Sequence, residues 1–367
     1  MSDSTVTPAD LRRGFLARLD GDFAAAETSY RRAMTDPRLA PEAAAYLIHL
    51  LEMQHRWEEA LTESRAALAR EPERAGLAVH LATSLLGLGH YAEAWPLYET
   101  RARLAAGSVR PQLPYPEWQG EPVGSLTVWD EQGFGDAIQF ARYLPQLAAR
   151  GMNLTLVVRP ELAPLLEGLG AVVIPAQGQM RVPVADAWTM IGSLPGRLGV
   201  TLESLGPAPP YLNVAPERRA KWARGIDPSA RIGVVGRGKP GHANDHNRSL
   251  PSEGAAFLQS LPGAMSLLPE DSKLPVEDFA DTAAIVERLD LIITVDTAVA
   301  HLTGAMGKPC WLLLPYVGTD WRWLRDARTD SPWYPSLRLY RQPKAGNWAG
   351  VLRQIAQDLP AFFSAKP

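Results

Sequence analysis

LDLIITVDTAVAHLTGAMGKPCWLLLP, residues 289–315, decides the fold of the C-terminal half. Leu291 to Val295 is short, apolar and β-branched, as a strand buried on both faces must be. It ends in Asp296-Thr297, a pair of ordinary helix caps, and the helix that starts there carries His301 near its N-terminus. Gly307-Lys308-Pro309 stops that helix, and Cys310 to Leu314 forms a second apolar run. Strand, polar loop, helix, strand is a βαβ unit. Ligands of open α/β sheets bind at the carboxyl ends of strands, where a helix N-terminus offers unbonded N–H groups and a partial positive charge. The segment therefore reads either as an anion site or as a βαβ unit whose Asp and Thr only cap a helix.

Length and composition frame that unit. A chain of 367 residues suggests two or three domains, and 46% hydrophobic with 21% charged residues is ordinary for a globular protein. A formal net charge of −3 argues against nucleic acid as a partner, which demands a basic surface. The single cysteine, Cys310, excludes an intrachain disulfide and a cysteine metal cluster. No apolar signal core opens the chain and no apolar run of membrane-spanning length occurs, so a cytoplasmic protein without a transmembrane segment is expected.

The N-terminal third has its own period. Phe23, Trp57 and Tyr91 stand 34 residues apart, as do Ala26, Ala60 and Ala94. Similar text follows each aromatic: FAAAETSYRRAM, WEEALTESRAAL and YAEAWPLYETRA. Gly21 and Gly89 precede two of the units, and Pro37 and Pro72 close two. Small residues at fixed helical positions with this period are the signature of tetratricopeptide repeats, in which Ala lets two helices approach and the aromatic fills the gap to the next pair. Three repeats over residues 8–106 are expected, as helices near 8–19, 22–35, 41–54, 57–70, 74–88 and 91–105. Such a stack either presents a groove to a protein or peptide or braces its neighbour.

A proline-rich connector, 107–124, leads into a region where strands alternate with helices, the pattern of parallel doubly wound sheets. Two Rossmann-like lobes are expected, over residues 125–215 and 220–367. Four constellations there carry chemistry. Asp130-Glu131-Gln132-Gly133-Phe134-Gly135-Asp136 follows the first strand: Gly133 and Gly135 permit close backbone approach, and Asp136 at a helix start either caps it or takes a proton, with Glu131 as second candidate. The position of a third dinucleotide-motif glycine is Ile138, which counts against a nicotinamide enzyme. Residues 236–251 form a long polar loop after the first strand of the second lobe, and Arg237, Lys239 and Arg248 suit a diphosphate. His242, His246 and Asp245 match no standard metal spacing, and no metal site is expected. The opening segment supplies Asp296, Thr297, Ala298 and His301. Finally, Tyr316 to Trp323 and Ser331 to Pro335 read as an aromatic wall for a base or sugar, or as packing.

Taken together these pieces resemble glycosyltransferases of the two-lobed Rossmann (GT-B) type, in particular the heptosyltransferase-like family, and bacterial glycosyltransferases that carry tetratricopeptide repeats. The resemblance lies in Gly135-Asp136 before a helix, in Arg248 of RSLP where lysine is commoner, and in Asp296-Thr297 to His301 with Gly307 and Pro309 beyond. EQGFGD, GHANDHNRS and WRWL with SPWYP are similar to text in the repeat-bearing members. The resemblance implies an α plus α/β protein: helical repeats followed by a GT-B-like pair of lobes, acceptor on the first and nucleotide-sugar on the second. It implies an inverting transfer with Asp136 as base, Arg248 as the cation on the leaving diphosphate, and Asp296, Thr297, Ala298 and His301 as the donor loop. The nucleotide-diphosphate sugar is a co-substrate, no separate cofactor is implied, and the acceptor is a protein or surface glycan, with a flagellin-like surface protein among the options. Ala298 departs from the glycine often found there, and the first lobe is short. Two rivals follow from the same text: an inactive repeat-and-GT-B binding scaffold, and a nucleotide-sugar epimerase.

Overall fold

The computed structural model of the protein describes residues 7–104, 110–205, 210–324 and 328–364. Two compact units emerge: Met1–Gly107 together with Val317–Arg325, and Ser108–Tyr316 together with Asp326–Pro367.

The first unit contains Pro8–Leu19 (α1), Phe23–Ala33 (α2), Ala40–Met53 (α3), Trp57–Arg70 (α4), Ala75–Gly87 (α5) and Tyr91–Tyr98 (α6). Consecutive helices pack on one another, and Ala26, Ala60 and Ala94 are fully buried where they meet. α6 ends earlier than the periodicity predicts. Pro96 removes an internal donor, and the chain tightens into a 3-10 turn over Glu99–Arg103. The turns before α2 and α6 take a left-handed residue, Gly21 at φ 78° and Gly89 at φ 83°. His55 occupies the equivalent place before α4 at φ 57°. A non-glycine residue there costs about 1–2 kcal/mol. His55 offsets that cost by stacking on Trp57 at 6.0 Å and by accepting the Thr319 N–H at Nε2, 3.2 Å.

That last bond shows where the WRWL text goes. Gly318 N–H donates to the Met53 carbonyl at 2.8 Å, and Trp321 sets its edge against Tyr91 and Trp95, each at 6.0 Å. Trp321, Arg322 and Trp323 are buried. The expected aromatic wall is, over this stretch, packing for the helical array.

The second unit holds two parallel sheets. The first is built from Ser125–Trp129 (β1), Asn153–Val158 (β2), Ala171–Pro175 (β3) and Ala187–Met190 (β4), in the order β3-β2-β1-β4. The second is built from Ile232–Val235 (β5), Ala264–Ser266 (β6), Leu291–Val295 (β7), Cys310–Leu314 (β8) and Leu337–Arg341 (β9), in the order β6-β5-β7-β8-β9. β7 and β8 are buried along their whole length, as their unbroken apolar text requires. The helices that matter most are Phe134–Phe140 (α7), Pro216–Trp222 (α8), Ser252–Gln259 (α9), Phe279–Arg288 (α10), Ala298–Ala305 (α11) and Trp348–Ser364 (α12). The connector runs beside β4, where Trp118 N–H donates to the Trp188 carbonyl and Trp188 N–H to that of Pro116. After β1 the chain forms α7, a 3-10 turn and a separate segment Leu144–Ala149 with Pro145 in its first turn.

α8 is fastened to α10 by one carboxylate. Asp281 is wholly buried; its Oδ1 accepts from Arg218 Nη1 at 2.9 Å and Trp222 Nε1 at 2.8 Å, and its Oδ2 from Lys221 Nζ at 2.8 Å and the Glu277 N–H at 3.1 Å. Burial pushes its pKa up, but the bonds from Lys221, Trp222, Glu277 and Arg218 outweigh it and bring the value to about 2. A folded pKa below the ordinary 3.8 means the stabilisation is complete above about pH 4 and fades as pH falls toward 2. Asp281→Ala should lose about 3 kcal/mol at pH 7, since it leaves the Trp222 indole N–H unbonded and takes the buried partner from Arg218 and Lys221, which keep only Asp278 and Glu277. The melting temperature should fall by roughly 6–12 °C. Melts repeated toward pH 2 should show wild type and variant converging; a constant gap would put the loss down to packing alone.

Candidate active site

In each sheet, consecutive connections leave in opposite directions at one point, and ligands of such sheets lie in the crevice there. In the second sheet that point falls between β5 and β7. The loop after β5 is closed by the Leu250 N–H bonding the Gly236 carbonyl at 2.8 Å, and it contains one helical turn, Asp245–Arg248. Arg248 reaches across the switch point: Nη1 donates to the Asp296 carbonyl at 2.8 Å, and Nε to Asp245 Oδ1 at 3.2 Å. Its side chain is 14% exposed, and among the described residues Nη2 has no hydrogen-bond partner. The guanidinium lies against Gly238, where any Cβ would strike it. Lys239, from the same loop, is exposed and makes no ion pair among the described residues.

β7 delivers Asp296 and Thr297, both half-buried, and then α11. Thr297 is the N-cap, but its hydroxyl bonds Thr294 Oγ1 at 3.2 Å rather than the helix amides. The first-turn N–H groups at Ala298 and Val299 therefore have no side-chain cap. His301, 7% exposed, follows on the second turn, its Nδ1 3.1 Å from the Tyr334 hydroxyl.

In the first sheet the switch point lies between β1 and β4, and Glu131 spans it. This buried carboxylate accepts the Gly192 N–H at 3.1 Å through Oε1. Such a placement braces the loop, so Glu131 suits an orienting role better than proton transfer. Its neighbour Asp130 takes a forked pair from Arg159 at 2.6 and 2.9 Å, joining the ends of β1 and β2. Asp136 is half-buried and accepts the Gly133 N–H at Oδ2, 2.8 Å, which fixes the start of α7. Phe134 lies between the Arg159 guanidinium, 4.3 Å from its ring centre, and Phe279 at 5.1 Å.

One contact joins the two loops. α7 packs on α11, and a Cβ built on Gly135 would lie 2.7 Å from His301 Cδ2 and 3.3 Å from Nε2. Only glycine lets the first turn of α7 come this close. The structure thus brings Asp136, Gly133, Gly135, Asp296, Thr297, Ala298, Arg248 and His301 to the facing ends of the two sheets. Lys239 is on the exposed part of the loop after β5, and Arg322 belongs to the helical unit, paired with Asp320 at 3.0 Å. Among the described residues no three His, Cys, Asp or Glu side chains gather as metal ligands do.

Sequence reading missed the layer beneath His301. Arg142 is buried, and its guanidinium is 5.9, 5.5 and 5.8 Å from the rings of Tyr211, Trp333 and Tyr334. The available signal was an arginine inside the apolar text of AIQFARYL.

No protein-family model matches the chain. It is 28% identical to Protein FlbA of Caulobacter vibrioides, over 83% of this chain and 59% of that protein, so it spans well under two thirds of that relative. Solved structures of similar shape include a glycosyl transferase of family 9 from Veillonella parvula (TM-score 0.44, 13% identity, covering 67% of this chain and 98% of that one). Another is the iron-containing dodecameric glycosyltransferase TibC of enterotoxigenic E. coli (TM-score 0.39, 11% identity, 67% and 78%). A third is the O-GlcNAc transferase of Thermobaculum terrenum (TM-score 0.25, 13% identity, 99% and 92%). All three TM-scores are low, and the functional reading rests on this chain's own residues.

Proposed function

We propose that the chain is a glycosyltransferase that moves a sugar from a nucleoside-diphosphate donor to a hydroxyl of a protein or surface glycan. The observation that carries this reading is the Gly135–His301 contact. It sets a carboxylate of the first sheet opposite the uncapped start of α11 and Arg248 of the second. In this reading the acceptor oxygen forms a bond to the anomeric carbon as the bond to the diphosphate oxygen breaks, with inversion. Asp136 takes the hydroxyl proton. The amides of Ala298 and Val299, with Arg248 Nη2, receive the charge that develops on the leaving phosphate. The helical unit is read as three tetratricopeptide repeats that present the acceptor, and the protein as cytoplasmic. Among the described residues no helix is long and apolar enough to cross a membrane.

A second reading has an observation of its own. Asp136 already bonds Gly133, and Arg248 already bonds Asp296 and Asp245, as in a scaffold that binds without reacting. Melting curves against UDP, GDP, ADP and CMP test both. A donor-binding enzyme gains RT ln(1 + [L]/Kd), about 2.7 kcal/mol at a hundredfold excess over Kd. A saturable shift with one nucleotide is expected; no shift with any of the four would leave only the scaffold.

A further inference from the structure

α1 turns its apolar side away from the helices it packs on. Among the described residues six large hydrophobic side chains are exposed, and three of them are on this one helix: Phe15 at 38%, Leu16 at 48% and Leu19 at 56%. In the other direction α1 buries a single large hydrophobic, Leu11. Arg12, Phe15, Leu16 and Leu19 follow the i, i+3, i+4 spacing of one helix face.

The helix cannot roll to bury that face. A Cβ on Gly14 would strike the Tyr30 ring, so α1 lies hard against α2 at this point. Close by, Asp10 is buried, accepts the Thr7 N–H at 2.9 Å and lies 3.7 Å from Arg32 Nε of α2. The Arg18 guanidinium, 5.2 Å from the centre of the Phe15 ring, holds that ring in place.

The outer helix of a stacked array ordinarily carries a polar outer face, and a contiguous apolar one marks an interface. The charges at the two ends of α1 say what covers it. Arg12 precedes the apolar residues by about one turn and Asp20 follows them; both are exposed, and neither makes an ion pair among the described residues. Arg13 adds to the positive end and exposed Asp22 to the negative end. A second α1 laid antiparallel brings opposite charges together at both ends, whereas a parallel one sets like on like. The helix dipoles favour the antiparallel direction as well.

We propose that α1 is an isologous interface through which two copies of the chain pair antiparallel, with Phe15, Leu16 and Leu19 against the same residues of the second copy and Arg12 against the partner's Asp20.

The test is the mass of the full chain in solution by sedimentation equilibrium, followed on dilution because one helix face is a small interface. Twice 40.1 kDa is expected in concentrated solution, falling toward 40.1 kDa as the protein is diluted. Leu16→Glu sets two carboxylates face to face and should keep the mass of one chain in concentrated solution, with the melting temperature of the wild type. Arg12→Asp and Asp20→Arg should each stay single when alone, since each puts like charges together twice. Mixed, they should form a dimer, because the acidic variant then meets the basic one at both contacts. A wild type that keeps the mass of one chain at every concentration, as when its own residues or another partner cover α1, overturns the proposal. A dimer that Leu16→Glu leaves intact overturns it too, as does a failure of the two reversed variants to pair with each other.

Discussion

Asp136→Asn should lower sugar transfer by about 10²–10⁴-fold, the span general-base catalysis supplies, while leaving the melting temperature essentially unchanged. The two halves of that expectation come from the same geometry. Asp136 is in the first turn of α7 and accepts the Gly133 N–H through Oδ2. An asparagine keeps an oxygen of the same reach, so the start of α7 is preserved. What it cannot do is accept a proton from a substrate hydroxyl. Asp136→Ala removes both functions and should lose stability by about 1 kcal/mol as well as activity. Rates of transfer, with melts of the same preparations, read the two effects apart. Full activity in Asp136→Asn would reduce Asp136 to a cap and move the search for a base elsewhere.

The strands that were legible in the sequence were those buried on both faces. Leu291 to Val295 and Cys310 to Leu314 are continuous apolar runs because they are buried along their whole length. β4 was hidden because it is four residues, Ala187–Met190, inside a stretch rich in proline and glycine. β9 was hidden because it closes the edge of the sheet and alternates, with Leu337 and Leu339 buried and Arg338 exposed. The helical period was legible from aromatics and alanines, while the end of α6 was set by Pro96, a local breaker that the period overrode in the reading. For the site, loop residues could be found because glycine, Asp-Thr and arginine at strand ends have few other uses. The second layer could not, because a buried arginine among aromatics has no spacing rule. Arg142, Tyr211 and Tyr334 come from three distant places, and only the fold brings them together. The aromatic text near the C-terminus split for the same reason: Trp321 serves the helical unit, and Tyr334 serves His301.

Arg248→Ala should cost about 10²–10³ in transfer rate and weaken the nucleoside-diphosphate melting shift. The argument starts from what Arg248 already touches. Two of its nitrogens brace the loop, on the Asp296 carbonyl and on Asp245, and the third is left without a protein partner at the crevice. A guanidinium held in this way can donate to a phosphate oxygen as its negative charge grows, without reorganising, which is the source of the rate effect. Loss of the brace is a separate consequence, because Asp296 leads directly into the cap of α11. Arg248→Lys distinguishes them. Lysine keeps the charge but has no planar fork, so it should recover part of the diphosphate shift while leaving the loop looser. Asp245→Asn tests the other side: it retains an acceptor for Nε and Ser249 while removing the competing negative charge. Diphosphate binding should then stay equal or tighten. Should Arg248→Ala bind UDP, GDP, ADP and CMP as the wild type does, Arg248 would be a loop brace alone, and the charge on the leaving group would have to fall to the α11 amides and Lys239.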